Sequence, residues 1–118
     1  MLKSPATFFA VAVSCSWGFA CPDVSAEVDF ERDVRPIFAE KCLLCHGPDD
    51  RKGGLRLTGI EFATAELESG DRGIVPGQPE DSAVVARIHS SDPEEVMPPP
   101  KKAEALTEEE KNTLTQWI

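Results

Sequence analysis

The stretch Cys42-Leu43-Leu44-Cys45-His46 constrains this chain more than any other feature. Its weight comes from what happens to the other two cysteines. Cys15 and Cys21 fall within the first 26 residues, which read as a secretory leader. Lys3 precedes an apolar run from Phe8 to Ala20, and small residues close the segment at Val24-Ser25-Ala26, where cleavage is expected. The run is about thirteen residues, too short to cross roughly 30 Å of hydrocarbon as a helix. A buried N-terminal helix is disfavoured by Cys, Trp and Gly in mid-run. A lipid-modified Cys21 is a further reading, weakened by Gly18 where a larger aliphatic residue is wanted. The chain therefore divides into a signal peptide at 1–26 and one domain at 27–118, whose only cysteines are the pair in the motif.

Length and charge narrow what that domain does. A chain of 118 residues has room for one small core. Against 12 Lys and Arg stand 21 Asp and Glu, a net charge of −9 that removal of Lys3 and Asp23 leaves unchanged. Nucleic acid would be repelled, and no basic stripe interleaved with aromatics offsets this. A complementary basic partner suits the surface better. Large side chains are scarce after Ala26, with one tryptophan and no tyrosine. So small a domain ordinarily needs a staple or a central group.

Periodicity predicts short helices joined by Gly/Pro loops. Phe30, Val34, Ile37 and Phe38 form an apolar stripe leading into Cys42. Pro36 is accommodated either in the first turn behind an Asp33 N-cap or at a kink in a helix starting near Asp29. After His46, the Gly- and Asp-rich run 47–59 predicts loop, with a short extended piece at Leu55 to Leu57. A helix is predicted over 58–70, with Thr58 and Glu61 as a capping box and Gly70 as its stop. Another follows over 80–90, with Val84, Val85 and Ile88 on one face. Three prolines at 98–100 exclude regular structure there. A last helix opens at Thr107 and Glu110, a second capping box, with acidic residues at the positive end of its dipole. No repeat and no sustained strand alternation is present, so the class is all-α.

Four chemistries compete for the motif. Structural zinc needs four ligands, and Cys42, Cys45, His46 and His89 supply the count. The adjacent Cys45 and His46 point apart, which speaks against that set. A redox dithiol wants a strand before it inside a βαβ unit, and here a helical stripe precedes it. A disulfide across so short a loop stabilises little. Covalent haem attachment uses every residue: two thiols one helical turn apart to meet two vinyl groups, then an imidazole to meet the iron. Export fits too, since that reaction needs reduced thiols presented to haem outside the cytoplasm.

With these residues in view, the chain resembles a small class I c-type cytochrome. More narrowly it resembles the planctomycete-type cytochrome c domain that opens large secreted multidomain proteins. The resemblance runs through "FERDVRPIFAEKCLLCHG", "KGGLRL", "IVPGQPEDS", "MPPP" and "LTEEEKNTLTQWI". It implies a class I cytochrome c fold wrapped around one covalent haem c. It also implies a longer chain in the narrower family, so that the last helix, ending here at Ile118, is expected to be truncated.

Met97 is the candidate sixth ligand, with His46 as the fifth. A thioether in a proline loop is a poor gap-filler, whereas Pro98 to Pro100 would brace it toward an iron, and the resemblance implies the same role. His89 is the rival, and two histidines would lower the potential relative to His/Met. Pro48 is expected to help fix the loop whose carbonyl accepts the His46 Nδ1 proton, and Arg56 to pair with a haem propionate. Phe30, Ile37, Phe38, Leu114 and Trp117 are expected to join the first helix to the last, and Leu55, Leu57, Val84, Val85 and Ile88 to line the haem. The expected function is electron transfer outside the cytoplasm, periplasmic or secreted, to a redox partner with a basic docking patch, and the cleaved chain itself is expected to carry no transmembrane segment. Two alternatives stay open: a module delivering electrons to, or docking on, a larger secreted enzyme, and a haem peroxidase or gas sensor with a labile Met97.

Overall fold

A computed structural model describes residues 27–118, and the leader assigned to residues 1–26 lies outside them. Among the described residues the architecture is helical without a strand. Only two isolated antiparallel bridges occur, His46 with Arg51 and Glu66 with Arg72.

The first helical segment starts at Asp29, the second of the two starts that the sequence allowed. The Asp29 carboxylate accepts the Arg32 N–H at 2.8 Å, and the Asp33 carboxylate accepts the Asp29 N–H at 2.9 Å. Asp33 thus closes a reciprocal cap rather than serving as the N-cap itself. The Arg32 side chain and the Asp29 N–H together hold the Asp33 carboxyl down, from 3.8 to about 2. A π-helical turn, Phe30–Val34, then passes into α1, Arg35–Lys41, with Pro36 in its first turn. Proline has no N–H to return to the carbonyl four residues back, and a widened turn just before it relieves both the lost bond and the ring clash.

A break at Cys42 separates α1 from α2, Leu43–His46. Gly47 ends α2, and only glycine fits there because a Cβ would collide with the Leu43 carbonyl oxygen. The chain next makes a 3-10 turn at Lys52–Gly54, then runs extended through Leu55 before α3, Ile60–Ala63. The helix expected over 58–70 is thus reduced to one turn. Its capping box does not form, because the helix starts one residue later with Gly59 at the N-cap, while the Thr58 hydroxyl accepts a 2.8 Å bond from Arg56 Nε. The chain turns back on itself, with Leu67 N–H bonded to the Asp71 carbonyl at 2.7 Å.

Gly73 then approaches so closely that a Cβ would stand 2.5 Å from Leu55 Cδ1 and 2.8 Å from the Ala63 carbonyl oxygen. Buried Ser82 fixes the start of α4, Ala83–His89, by accepting the Val75 N–H at 2.9 Å and donating to the Gln78 carbonyl at 3.0 Å. The last helix, α5, Glu108–Trp117, carries the predicted capping box in full. Glu110 N–H reaches Thr107 Oγ1 at 3.1 Å and Thr107 N–H reaches Glu110 Oε2 at 2.8 Å.

Two packing centres result. One joins the π turn and α1 to α5: Phe30, Phe38 and Trp117 meet with ring centroids 5.4–6.2 Å apart, two of the three pairs edge to face. Val34, Ile37 and Leu114 are buried beneath them. This is the junction that the apolar stripe predicted. The other centre gathers aliphatic side chains from α2, α4 and the 97–99 loop, and it is hollow.

Candidate functional site

The hollow has a volume of about 760 Å3 and brings Cys42, Cys45, His46 and Met97 to one wall-lined space. Pockets that bury a cofactor-sized ligand run from about 300 to 1,000 Å3. Helix α2 delivers the first three. Its turn follows from Cys42, whose carbonyl accepts the N–H of both Cys45 and His46, so the two thiols and the imidazole are presented from one short turn. Both cysteines are free thiols and half-buried. Burial, and secondarily the Glu110 carboxylate on α5, pushes the Cys42 thiol up to about 11, so it is protonated at neutral pH.

His46 is oriented from behind. Its Nδ1 lies 3.2 Å from the Leu55 carbonyl oxygen, and the Leu57 N–H returns to the His46 carbonyl at 2.8 Å. With Nδ1 donating to Leu55, the lone pair of Nε2 is free to bind a metal, the usual arrangement behind a ligating imidazole. The accepting carbonyl is thus that of Leu55. Pro48 sits exposed in the turn after His46 and does not line the cavity.

Met97 arrives from the opposite end of the chain on the loop after α4. Half-buried, it is followed by the buried Pro98, and both line the cavity together with Pro99. Leu55, Leu57, Val84 and Ile88 line it as expected, whereas Val85 does not. Leu67 and Leu106 also line it, and neither was singled out from the sequence. Leu106 immediately precedes the Thr107 cap, a place where an apolar residue regularly packs inward, and this was its available signal.

Two candidates lie elsewhere. Arg56 stacks its guanidinium 4.4 Å from the centroid of the Phe62 ring, bonds to Thr58, and does not line the cavity. His89 is exposed at the end of α4, with Nε2 3.0 Å from Thr115 Oγ1 on α5, and it too is absent from the lining. The set Cys42, Cys45, His46 and His89 is therefore not assembled. No group of three or more His, Cys, Asp or Glu side chains able to hold a metal ion occurs among the described residues. An aliphatic cavity flanked by an imidazole and a thioether, with two free thiols beside the imidazole, fits a flat apolar macrocycle far better than a bare cation.

A family model described as planctomycete cytochrome C matches residues 42–101, just over half of the 118-residue chain. The chain belongs to the planctomycete cytochrome C family. It contains a c-type cytochrome domain, and a covalently bound haem is what this family implies, consistent with the Cys42 and Cys45 spacing. The match begins at the first motif cysteine and ends just after the proline loop, so it holds most of the cavity lining and leaves out the π turn, α1 and α5. Comparison with curated proteins and with solved structures returned no match. No helix among the described residues is long and apolar enough to cross a membrane.

Proposed function

We propose that the chain is a single-haem electron carrier acting outside the cytoplasm, after removal of residues 1–26. The observation that carries this reading is that Cys42, Cys45, His46 and Met97 all line one aliphatic cavity. Cys42 and Cys45 would hold the macrocycle through thioether bonds. His46 and Met97 would occupy its two axial faces, with the Leu55 carbonyl setting the imidazole tautomer. The group supplies a one-electron couple whose potential His/Met ligation raises relative to two histidines.

The chain's own residues do the remaining work. Leu55, Leu57, Val84, Ile88 and Leu106 exclude water, which favours the less charged redox state. Pro98 and Pro99 restrict the backbone next to the sulfur. With both axial sites filled by protein, no substrate has to coordinate, and this supports a carrier rather than a catalyst. Transfer then goes through contact with a partner, for which the net charge of −9 favours a basic docking surface.

The test is the intact mass of protein purified from an exporting host with haem-attachment machinery, together with a pyridine haemochrome spectrum. The expected result is a chain starting at Glu27, heavier by one haem, with a c-type spectrum. A chain of unmodified mass under those conditions would overturn the reading.

A further inference from the structure

The loop that brings Met97 to the cavity has few ties to the rest of the molecule, and one residue supplies two of them. Residues 98–100 are prolines and carry no N–H, so the Met97 N–H is the last backbone donor before Lys101. That N–H goes to the Arg87 carbonyl at 3.1 Å. The Arg87 guanidinium meanwhile donates Nη1–H to the Glu95 carbonyl at 3.4 Å. Between these two points the loop is bonded mainly to itself, through Glu95 and Val96 N–H to the Asp92 carbonyl and Glu94 N–H to Asp92 Oδ1. Ser90 adds a long contact of 3.4 Å from its hydroxyl to Glu95 Oε2 and accepts the Asp92 N–H at 3.2 Å, both at the near end. Arg87 itself sits on α4, one residue before the buried Ile88, and lines the same cavity.

We infer that Arg87 is the positioning residue for the axial methionine: its guanidinium clamps the 92–96 turn to α4 so that Met97 is held toward the cavity. The inference deepens the proposed His46/Met97 ligation and rests on it. The carbonyl tether survives any substitution, whereas the guanidinium tether depends on arginine. Arginine suits the place because its fork reaches a backbone carbonyl while its stem packs along the apolar wall. Losing the clamp leaves a loop whose remaining hold on α4 is chiefly one neutral hydrogen bond, so the sulfur dissociates more often.

The experiment uses the holoprotein and compares wild type, Arg87→Ala, Arg87→Lys and, as a surface control, Arg35→Ala. The readouts are the far-red charge-transfer band of methionine-bound ferric haem, the pH at which that band is lost, and the rate of imidazole binding. In Arg87→Ala the band should bleach at lower pH and imidazole should bind about two- to threefold faster, less than a short charge-assisted bond would give, because this one is 3.4 Å long and exposed. Arg87→Lys should fall between Ala and wild type, and Arg35→Ala should match wild type. If Arg87→Ala does not accumulate as holoprotein, the comparison rests on Arg87→Lys. A wild-type band whose pH midpoint and imidazole rate are unchanged in these variants would overturn the inference alone. A wild type without the band would overturn it together with Met97 ligation.

Discussion

The two packing centres of this domain solve the same problem in opposite ways. Where the π turn and α1 meet α5, three aromatic rings and the buried Val34, Ile37 and Leu114 fill most of the space with the chain's own side chains, leaving a cleft of about 280 Å3 beside the rings. Where α2, α4 and the 97–99 loop meet, the lining is aliphatic side chains with the imidazole, thiols, thioether and a charged edge, no Phe or Trp arrives, and the cavity measures about 760 Å3. The first is packed largely by aromatic rings, and the second surrounds a space nearly three times as large. The family match holds most residues of the second and omits the helices of the first. Under the proposed function, the aromatic junction would set the frame, and the cavity side would gain its full apolar contacts when the macrocycle binds.

The sharpest way to break this contrast is to prevent attachment. A Cys42→Ala, Cys45→Ala double variant should lose the mass of the haem and, with it, resolved methyl resonances at Val84, Ile88 and Leu106. An NMR spectrum as sharp and dispersed there as that of the holoprotein would show that the cavity side needs no occupant. Next in size, Met97→Ala should lower the reduction potential by on the order of a hundred millivolts, well inside the roughly 0.8 V that axial ligands span. Potentiometric titration measures this, and an unchanged potential would remove Met97 from the iron.

Leu114→Ala tests the other junction. The side chain is 1 % exposed, and a cavity there should cost about 2–5 kcal/mol in chemical denaturation while leaving the potential almost unmoved. A large potential shift would mean that the two centres are not separable. The smallest effect belongs to Asp33. Its carboxyl is held below its unfolded value, so its contribution is present above pH 4 and is lost as pH falls toward 2. Being exposed, it should account for only a small part of acid unfolding. Asp33→Asn should therefore melt slightly below wild type at pH 4 and above, match it near pH 2, and so flatten the fall between those values.

Much of the fold was legible because it is local. The stripe Phe30, Val34, Ile37 and Phe38 specified a helix and its buried face by spacing alone. Thr107 and Glu110 specified the start of α5, since a capping box is complete within four residues. The same pattern at Thr58 and Glu61 misled, because the helix starts at Ile60 behind Gly59, out of register with the pattern, and the chain turns after Ala63. A cap pattern is only as good as its register, and register is set by the backbone around it.

The sequence by itself determined the chemistry on offer: two thiols and an imidazole on one helical turn, a lone thioether in a proline loop, and a net charge of −9. Those are covalent facts and short-range geometry. Tertiary structure decided which groups meet. It placed Leu55, nine residues from His46, behind the imidazole, turned Arg56 onto Phe62, sent His89 to Thr115, and set Arg87 beside the carbonyl of Glu95. His89 and Thr115 are distant along the chain, and the other pairs lie six to nine residues apart, beyond the reach of one helical turn; such approaches are settled by how loops and helices fold back on one another.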